Sequence, residues 1–144
     1  MKNRLLISGC TLLAAGLLLF TTAYGQQNPE DAAKKSAAAW IALVDAGQYG
    51  QSWDQASQIF KSKVKEGQWV AMVKQAREPL GKLKSRSFED FRHLKNPPNA
   101  PEGDYIVMQY SAAFAKAPSA TETVSLIQEK DGGWRVAGYW IKPG

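Results

Sequence analysis

Hydrophobic residues in the first half of the chain recur at the spacing of α-helices. Asn28 can cap a first helix, Pro29 suits its first turn, and Gly47 ends it. A second helix is expected to begin near Ser52 and a third to follow Gly67. The apolar stripes predicted for the three helices are Ala33, Ala37, Trp40, Ile41 and Val44; Trp53, Ala56, Phe60 and Val64; and Trp69, Val73, Ala76 and Leu80.

From residue 82 onward the period changes to the alternation of β-strands. The predicted strands are residues 82–94, 105–117, 121–130 and 134–141, joined by a Pro-rich loop at 95–104, by "APSA" and by "DGG". The side chains expected on one face of the second strand are Ile106, Met108, Tyr110, Ala112 and Phe114. The order predicts an α+β fold with three N-terminal helices packed on a curled four-stranded antiparallel sheet.

The last strand, "WRVAGYWI", contains two tryptophans and a glycine. Strict alternation places Trp134, Val136 and Trp140 on one face and Tyr139 on the other. We expect Trp134 and Trp140 to belong to the core, with the wall of a pocket as the alternative. Gly138 is the expected site of the bend or bulge that a curled sheet needs.

The N-terminal residues have the three-part pattern of a secretory signal peptide. Lys2 and Arg4 precede an apolar run at 5–20, and small residues allow cleavage before Gln26. The prediction is a signal peptide at 1–25, a single domain at 26–144, and a periplasmic or secreted protein without a stable membrane span. The alternatives are an uncleaved anchor and lipidation at Cys10, since "ISGC" is similar to a lipobox.

Composition excludes several chemistries for residues 26–144. They contain no Cys and one His, too few nitrogen and sulfur ligands for a zinc site, so no metal or cofactor is expected. The net charge of +5 is concentrated at 61–95, with ten Lys or Arg against four acids. No nucleic-acid-binding motif accompanies this charge, so we interpret it as solvated surface and expect no nucleic-acid partner.

Several short motifs, taken in order, identify a resemblance. They include "DAGQYGQSW" at 45–53, "REPLG" at 77–81, "PEGDY" at 101–105 and "DGGWRVAGY" at 131–139. Together they resemble domain-of-unknown-function family 4019 of secreted bacterial proteins. The overall plan is similar to the cystatin-like α/β roll of nuclear transport factor two. The family implies no activity, and the roll implies either an isomerase or dehydratase or a non-catalytic binding module.

One carboxylate, Glu122, is the main candidate for chemistry because it shares a strand face with Val124 and Leu126. Related rolls suggest a buried carboxylate base, with Tyr105, Tyr110 or Tyr139 as hydroxyl donors. The favoured interpretation is instead an ion pair with arginine, and an anchor for a bound ligand is the third possibility. The arginine candidates are Arg77, Arg86 and Arg135.

The remaining polar candidates are interpreted as structural. His93, the only imidazole, is expected to be an exposed surface group with no catalytic role. Ser52 is expected to cap the second helix, Tyr49 to pack over the turn, and Asp45 to pair with a backbone group or an arginine.

These features favour an exported, non-catalytic binding or interaction module with no catalytic residues. Its partner would be a small apolar ligand in a cavity of the roll, or an envelope protein, and a homodimer is possible. The alternative is a cofactor-free lyase or isomerase that uses Glu122 as its base.

Overall fold

The computed structural model describes residues 28–144. The predicted signal peptide, its cleavage site and Cys10 lie outside the described residues. The helices are α1 (Pro29–Asp45), α2 (Tyr49–Asp54), α3 (Gln58–Lys63) and α4 (Glu66–Arg77), followed by a 3₁₀ turn (Glu78–Leu80). The strands are β1 (Leu83–Lys95), β2 (Asp104–Phe114), β3 (Ala117–Gln128) and β4 (Trp134–Pro143).

The first helix follows the sequence prediction closely. The Asn28 side chain accepts a hydrogen bond from the backbone N–H of Glu30 at 3.2 Å, and Pro29 opens the helix. The five residues of its predicted apolar stripe are all buried. After Ala46, Gly47 adopts a φ of +72°, a left-handed conformation in which glycine avoids a steric penalty.

The predicted second helix is two short helices, so the expected count of three helices is wrong. The chain breaks after α2 because the backbone N–H of Ser57 donates to Val136 O of β4 at 2.8 Å, outside any helix. The Ser57 hydroxyl then caps α3 by accepting from the N–H of Phe60 at 3.1 Å. Ser52 lies inside α2 and caps nothing, which corrects its predicted role.

The fourth helix buries a different set of residues from the predicted stripe. Trp69 and Val73 are buried as expected, but Ala76 is exposed and Arg77 is buried in its place. Gly67, expected to separate two helices, lies in the first turn of α4, and the break comes at Val64 and Lys65. Arg77, the last residue of α4, therefore places a positive charge in the protein interior.

The four strands form one open antiparallel sheet in the order β1-β2-β3-β4. The five predicted inward residues of β2 are all buried. The turn predicted at "APSA" is wrong, because β3 begins at Ala117 and the chain turns at Ala115 and Lys116. Register shifts interrupt all three strand pairs, and such bulges bend and curl a sheet.

A bulge in β4 overturns the predicted position of Trp140. Leu126 pairs with Val136 but Ser125 pairs with Gly138, so one extra residue, Ala137, enters β4. The alternation of faces therefore reverses within the strand. Trp134 is buried as predicted, whereas Trp140 is 60% exposed and Tyr139 turns towards the helices.

Aromatic rings fill much of the space between the helices and the sheet. The ring centroids of Trp40 and Trp69 lie 5.7 Å apart, and Tyr139 lies 5.6 Å from Trp40. The indole N–H groups are satisfied by Ser52, whose carbonyl accepts from Trp40 at 2.7 Å and whose hydroxyl accepts from Trp69 at 2.9 Å. Among residues 28–144, no helix has the length and apolar character needed to cross a membrane.

The cap of α3 can be tested by Ser57→Ala. Loss of a capping hydroxyl should lower the free energy of unfolding by about 1 kcal/mol. The matched control is Ser62→Ala, because the Ser62 hydroxyl donates to Ile59 O within the same helix but lies at the surface. Urea denaturation of both variants measures the difference, and equal effects would contradict a capping role for Ser57.

Candidate functional site

Five polar side chains from five elements meet between the helices and the sheet. We call them the ion-pair cluster: Asp45 at the end of α1, Arg77 at the end of α4, Arg86 on β1, Glu122 on β3 and Tyr139 on β4. The β4 bulge is what turns Tyr139 inward to join them. The ion-pair cluster therefore depends on the buried face of α4, which places Arg77, and on the bulge in β4, which places Tyr139.

Glu122 lies at the centre of the ion-pair cluster and is fully buried. Its Oε1 accepts from the Tyr139 hydroxyl at 2.5 Å and from Arg77 Nη1 at 3.3 Å. Its Oε2 accepts from Arg86 Nε at 2.5 Å. Both carboxylate oxygens are therefore occupied, as the ion-pair interpretation predicts.

Asp45 forms the outer side of the ion-pair cluster and is partly exposed. Its Oδ1 accepts from Arg77 Nη2 at 2.6 Å and from Arg86 Nη2 at 3.0 Å. Its Oδ2 accepts from Arg86 Nη1 at 2.7 Å. Arg86 thus bridges the two carboxylates, with parallel hydrogen bonds to Asp45, the geometry in which guanidinium–carboxylate pairs are strongest.

The ion-pair cluster balances its charges internally. Two carboxylates face two guanidinium groups, and Arg77 also lies 4.8 Å above the ring of Phe114. Buried ions are tolerated only when they are paired and hydrogen-bonded. Within residues 28–144, every buried side-chain nitrogen and oxygen has a hydrogen-bond partner, so this condition is met.

The surroundings shift the pKa values of Asp45 and Arg86 towards the charged, paired forms of these side chains, and that of Tyr139 towards its neutral form. Burial alone would raise the pKa of Asp45, but hydrogen bonds from Arg86 and Arg77 outweigh burial and hold that pKa below 3.8. Burial would lower the pKa of Arg86, yet its bonds to Asp45 and Glu122 raise it. Burial and then the Glu122 charge raise the pKa of Tyr139, so its phenol stays neutral and donates.

Two of the predicted site residues lie away from the ion-pair cluster. Arg135 pairs with Asp131 on the exposed β3–β4 hairpin, at 2.6 Å between Nη2 and Oδ2, so of the three candidate arginines it is the one that does not contact Glu122. The Tyr105 hydroxyl donates to Pro101 O at 2.9 Å in the Pro-rich loop. His93 is exposed, as expected, and its ring lies 6.1 Å from that of Trp134.

Asp45 is the cluster member that sequence reasoning placed in a local turn and did not connect with Glu122. A signal was present, because Asp45 ends α1 with no basic residue in the last turn. A negative charge at a helix C-terminus is unfavourable unless a cation from elsewhere compensates it. Arg77 and Arg86 supply that compensation.

The surface beside the ion-pair cluster offers a shallow pocket of about 150 Å³. Its lining includes Asp45, Tyr49, Arg77 and Lys82. The bonds within the ion-pair cluster already occupy the carboxylate oxygens of Asp45, which lines this pocket, and of Glu122 behind it. In the described part of the chain, no group of three or more His, Cys, Asp or Glu could hold a metal ion.

Comparison with known proteins assigns the family. The family model for "Protein of unknown function (DUF4019)" matches residues 36–139. The chain belongs to this family. Its helices precede and cover a curled, open, antiparallel sheet of four strands, which is the general arrangement that the family resemblance implied. No curated protein matches the chain.

Two solved structures share the general arrangement at low identity. A structure from Catenulispora acidiphila matches at a TM-score of 0.48 and 12% identity, over 76% of this chain and 87% of that chain. ActVI-ORFA from Streptomyces coelicolor matches at 0.49 and 9% identity, over 79% of this chain and 96% of its own. With TM-scores below 0.5, neither likeness carries an inference about this chain.

Arg77→Met tests the structural weight of the ion-pair cluster. The change leaves the buried Glu122 and the partly exposed Asp45 to share Arg86, so the free energy of unfolding should fall by about 3 kcal/mol or more. The matched control, Arg135→Met, breaks a hairpin pair that is largely open to solvent and should cost far less stability. Urea denaturation compares the two, and similar small losses would contradict a buried, coupled cluster.

Acid titration of stability tests the pKa of Asp45. Because this pKa is lower in the folded state than in the unfolded chain, its stabilisation is complete above about pH 5 and is lost as pH falls through the folded value. Asp45→Asn should therefore reduce stability at pH 7 and flatten the dependence of the urea midpoint on pH below about pH 5.

Asp131→Asn is the control for Asp45→Asn, because Asp131 also has a lowered pKa but lies away from the ion-pair cluster. Hydrogen bonding from Arg135 lowers the pKa of Asp131 to about 2, so its contribution to stability is lost progressively between about pH 5 and pH 1. Because Asp131 lies at the surface, where solvent screens its ion pair, Asp131→Asn should change the profile less than Asp45→Asn does. An Asp45→Asn profile as steep as that of the wild type would show that Asp45 does not carry the effect.

Proposed function

We propose that this protein is an exported, non-catalytic binding module. The observation that carries the proposal is the state of Glu122, whose two oxygens are engaged by two guanidinium groups and a neutral phenol. A general base needs a free oxygen within hydrogen-bond reach of a substrate proton. The most buried carboxylate of the roll instead joins β3 to α4, β1 and β4.

The alternative function is a cofactor-free lyase or isomerase in which Glu122 abstracts a proton. That reaction would require the Glu122 carboxylate to exchange at least one arginine for a substrate. Arg86 also holds Asp45 through two hydrogen bonds, so the exchange would disturb both carboxylates together. The bonding of Glu122 therefore favours a structural carboxylate over a catalytic one.

The binding surface is proposed to lie on the outside of the roll. An apolar cavity at the mouth of the roll is not shown, and the rings of Trp40, Trp69 and Tyr139 pack together beneath the helices. A pocket of about 510 Å³ opens at the surface beside Gln58, Glu129 and Asp131. The ligand or envelope partner would then contact exposed side chains and would not enter the core.

Native mass spectrometry of the protein gently extracted from its own cell envelope tests this function. A reproducible added mass, or co-purification with an envelope component, is the expected result. Glu122→Gln serves as the second arm, because a binding surface outside the core should keep the same adduct in any variant that stays folded. A bare monomer from intact envelopes, or substrate turnover lost in Glu122→Gln, would overturn the proposal.

A further inference from the structure

The sheet has an outer face, which we define as the side turned away from the helices. Residues that alternate with the buried Met108, Val124 and Tyr139 point to this side. Two neighbouring rows cross all four strands of it. In strand order they are Asp90, Gln109, Thr123 and Trp140, and Ser87, Ser111, Thr121 and Lys142.

Trp140 is the most exposed large hydrophobic side chain of the described residues, at 60%. Its indole lies against its own strand at Gly138, where a Cβ would stand 2.4 Å from Trp140 Cη2. Gly138 therefore leaves the space in which the ring lies. One side of the indole rests on the strand, and the rest of its surface remains open to solvent.

The rest of the two rows is mostly uncharged and able to form hydrogen bonds. Six of the eight residues carry no formal charge, and Asp90 and Lys142 cancel each other. A groove of about 190 Å³ lies at the second row and is lined by Ser85, Ser87, Ser111 and Ser119; we call it the serine groove. The Ser111 hydroxyl donates to Glu89, so a carboxylate acceptor lies next to this groove. The outer face thus combines one apolar platform with many neutral polar groups.

The apolar end of the outer face is already covered by the chain itself. Tyr105 and Ile127 are buried there beneath the Pro-rich loop. A Cβ on Gly103 would lie 3.1 Å from Ile127 Cδ1, and Tyr105 bonds to Pro101. In the two open rows, Trp140 is the only large apolar side chain.

This composition disfavours the other occupants of a sheet face. A second copy of the chain would need about 800 Å² per partner around an apolar core, and the two rows offer a single indole. Nucleic acid or an anionic membrane would need a basic surface, whereas the charges of the rows cancel. A neutral ligand with both an apolar face and many hydroxyl groups matches the surface better.

We propose that the outer face binds a glycan strand, with a sugar ring stacked on Trp140. A pyranose has one face rich in C–H groups, which fits the open side of an indole, and a rim of hydroxyl groups. The hydroxyl groups of that rim would form hydrogen bonds with Thr123, Gln109 and the serine hydroxyls of the serine groove. This inference rests on the proposed function of an exported binding module and names its ligand class.

The outer face has the dimensions for several consecutive sugar rings. Strands lie about 4.8 Å apart, so a row across four strands spans about 14 Å. One sugar ring would lie over Trp140 on β4. The glycan would continue over β3 and β2 towards the serine groove, which is lined by residues of β1, β2 and β3. Aromatic side chains suit such contacts because they present a large area at a low conformational cost.

The test is an NMR titration of the ¹⁵N-labelled protein with tetrasaccharides. The probes are chitotetraose, cellotetraose and maltotetraose, and a pull-down with purified peptidoglycan sacculi covers the polymer. We expect at least one probe to bind and to shift the Trp140 indole N–H together with amides of β3 and β4. Trp140→Ala should weaken that binding by at least about tenfold, which corresponds to 1.4 kcal/mol.

Two further variants separate the outer face from a general loss of hydrophobic surface. Met72→Ala is the matched control, because Met72 is 58% exposed but lies on α4, and it should leave binding unchanged. Gly138→Ala keeps the indole but displaces it from the strand, so affinity should fall although Trp140 remains. Folding of each variant is checked by its spectrum without ligand.

Each result has a defined meaning. Binding that Met72→Ala retains and Trp140→Ala loses supports the proposal. Failure of all the tetrasaccharides and of the sacculi at millimolar sugar overturns it, as does binding that Trp140→Ala leaves intact. Concentration-dependent shifts of the Trp140 signal without any sugar would assign the outer face to a second copy. If no sugar binds but native mass spectrometry finds a non-sugar adduct, the glycan proposal is overturned and the binding-module function is retained.

Discussion

The structure depends on a single buried carboxylate. Glu122 is fully buried on β3, and its bonds to Arg77, Arg86 and Tyr139 join the end of α4 to β1 and β4. The same two guanidinium groups hold Asp45 at the end of α1. Two helix ends and three strands therefore meet around one charge. Hydrophobic contact alone would hold these elements together, but the paired ions fix their relative positions, because each bond has a required direction.

The bulge in β4 decides which aromatic groups serve the core and which serve the surface. The extra residue Ala137 reverses the alternation, so Trp134 points inward, Tyr139 also points inward, and Trp140 points outward. Without the extra residue, Tyr139 would leave Glu122 and Trp140 would enter the helical side. The bulge also stands beside Val136 O, which accepts the Ser57 N–H and so interrupts the second helical segment. The β4 bulge thus places Tyr139 in the ion-pair cluster and Trp140 on the outer face, and it lies next to the carbonyl that accepts at the helix break.

Local signals in the sequence predict much of this fold, while features set by tertiary contacts escape them. The cap at Asn28, the inward face of β2 and the bend at Gly138 follow from residue type and period. The break at Ser57 depends on a carbonyl that is distant in sequence, so no local pattern marks it. Arg77 was overlooked as a stripe residue because a hydrophobic pattern treats arginine as polar, although its spacing from Trp69 and Val73 is helical. The sequence predicts arginine and tyrosine partners for Glu122. It does not predict how they meet, because Tyr139 reaches Glu122 only through the bulge in β4.

The position of Trp140 has a spectroscopic consequence. Trp40, Trp69 and Trp134 are buried and Trp53 is half-buried, so Trp140 is the one indole of the described residues that stands mainly in water. Its fluorescence should therefore emit at the red edge of the protein's spectrum and respond first to an aqueous quencher such as iodide. The buried indoles, bonded to Ser52 and packed together, would report on the core. The chain thus carries two separate optical reporters, one for the state of its fold and one for whatever touches its sheet.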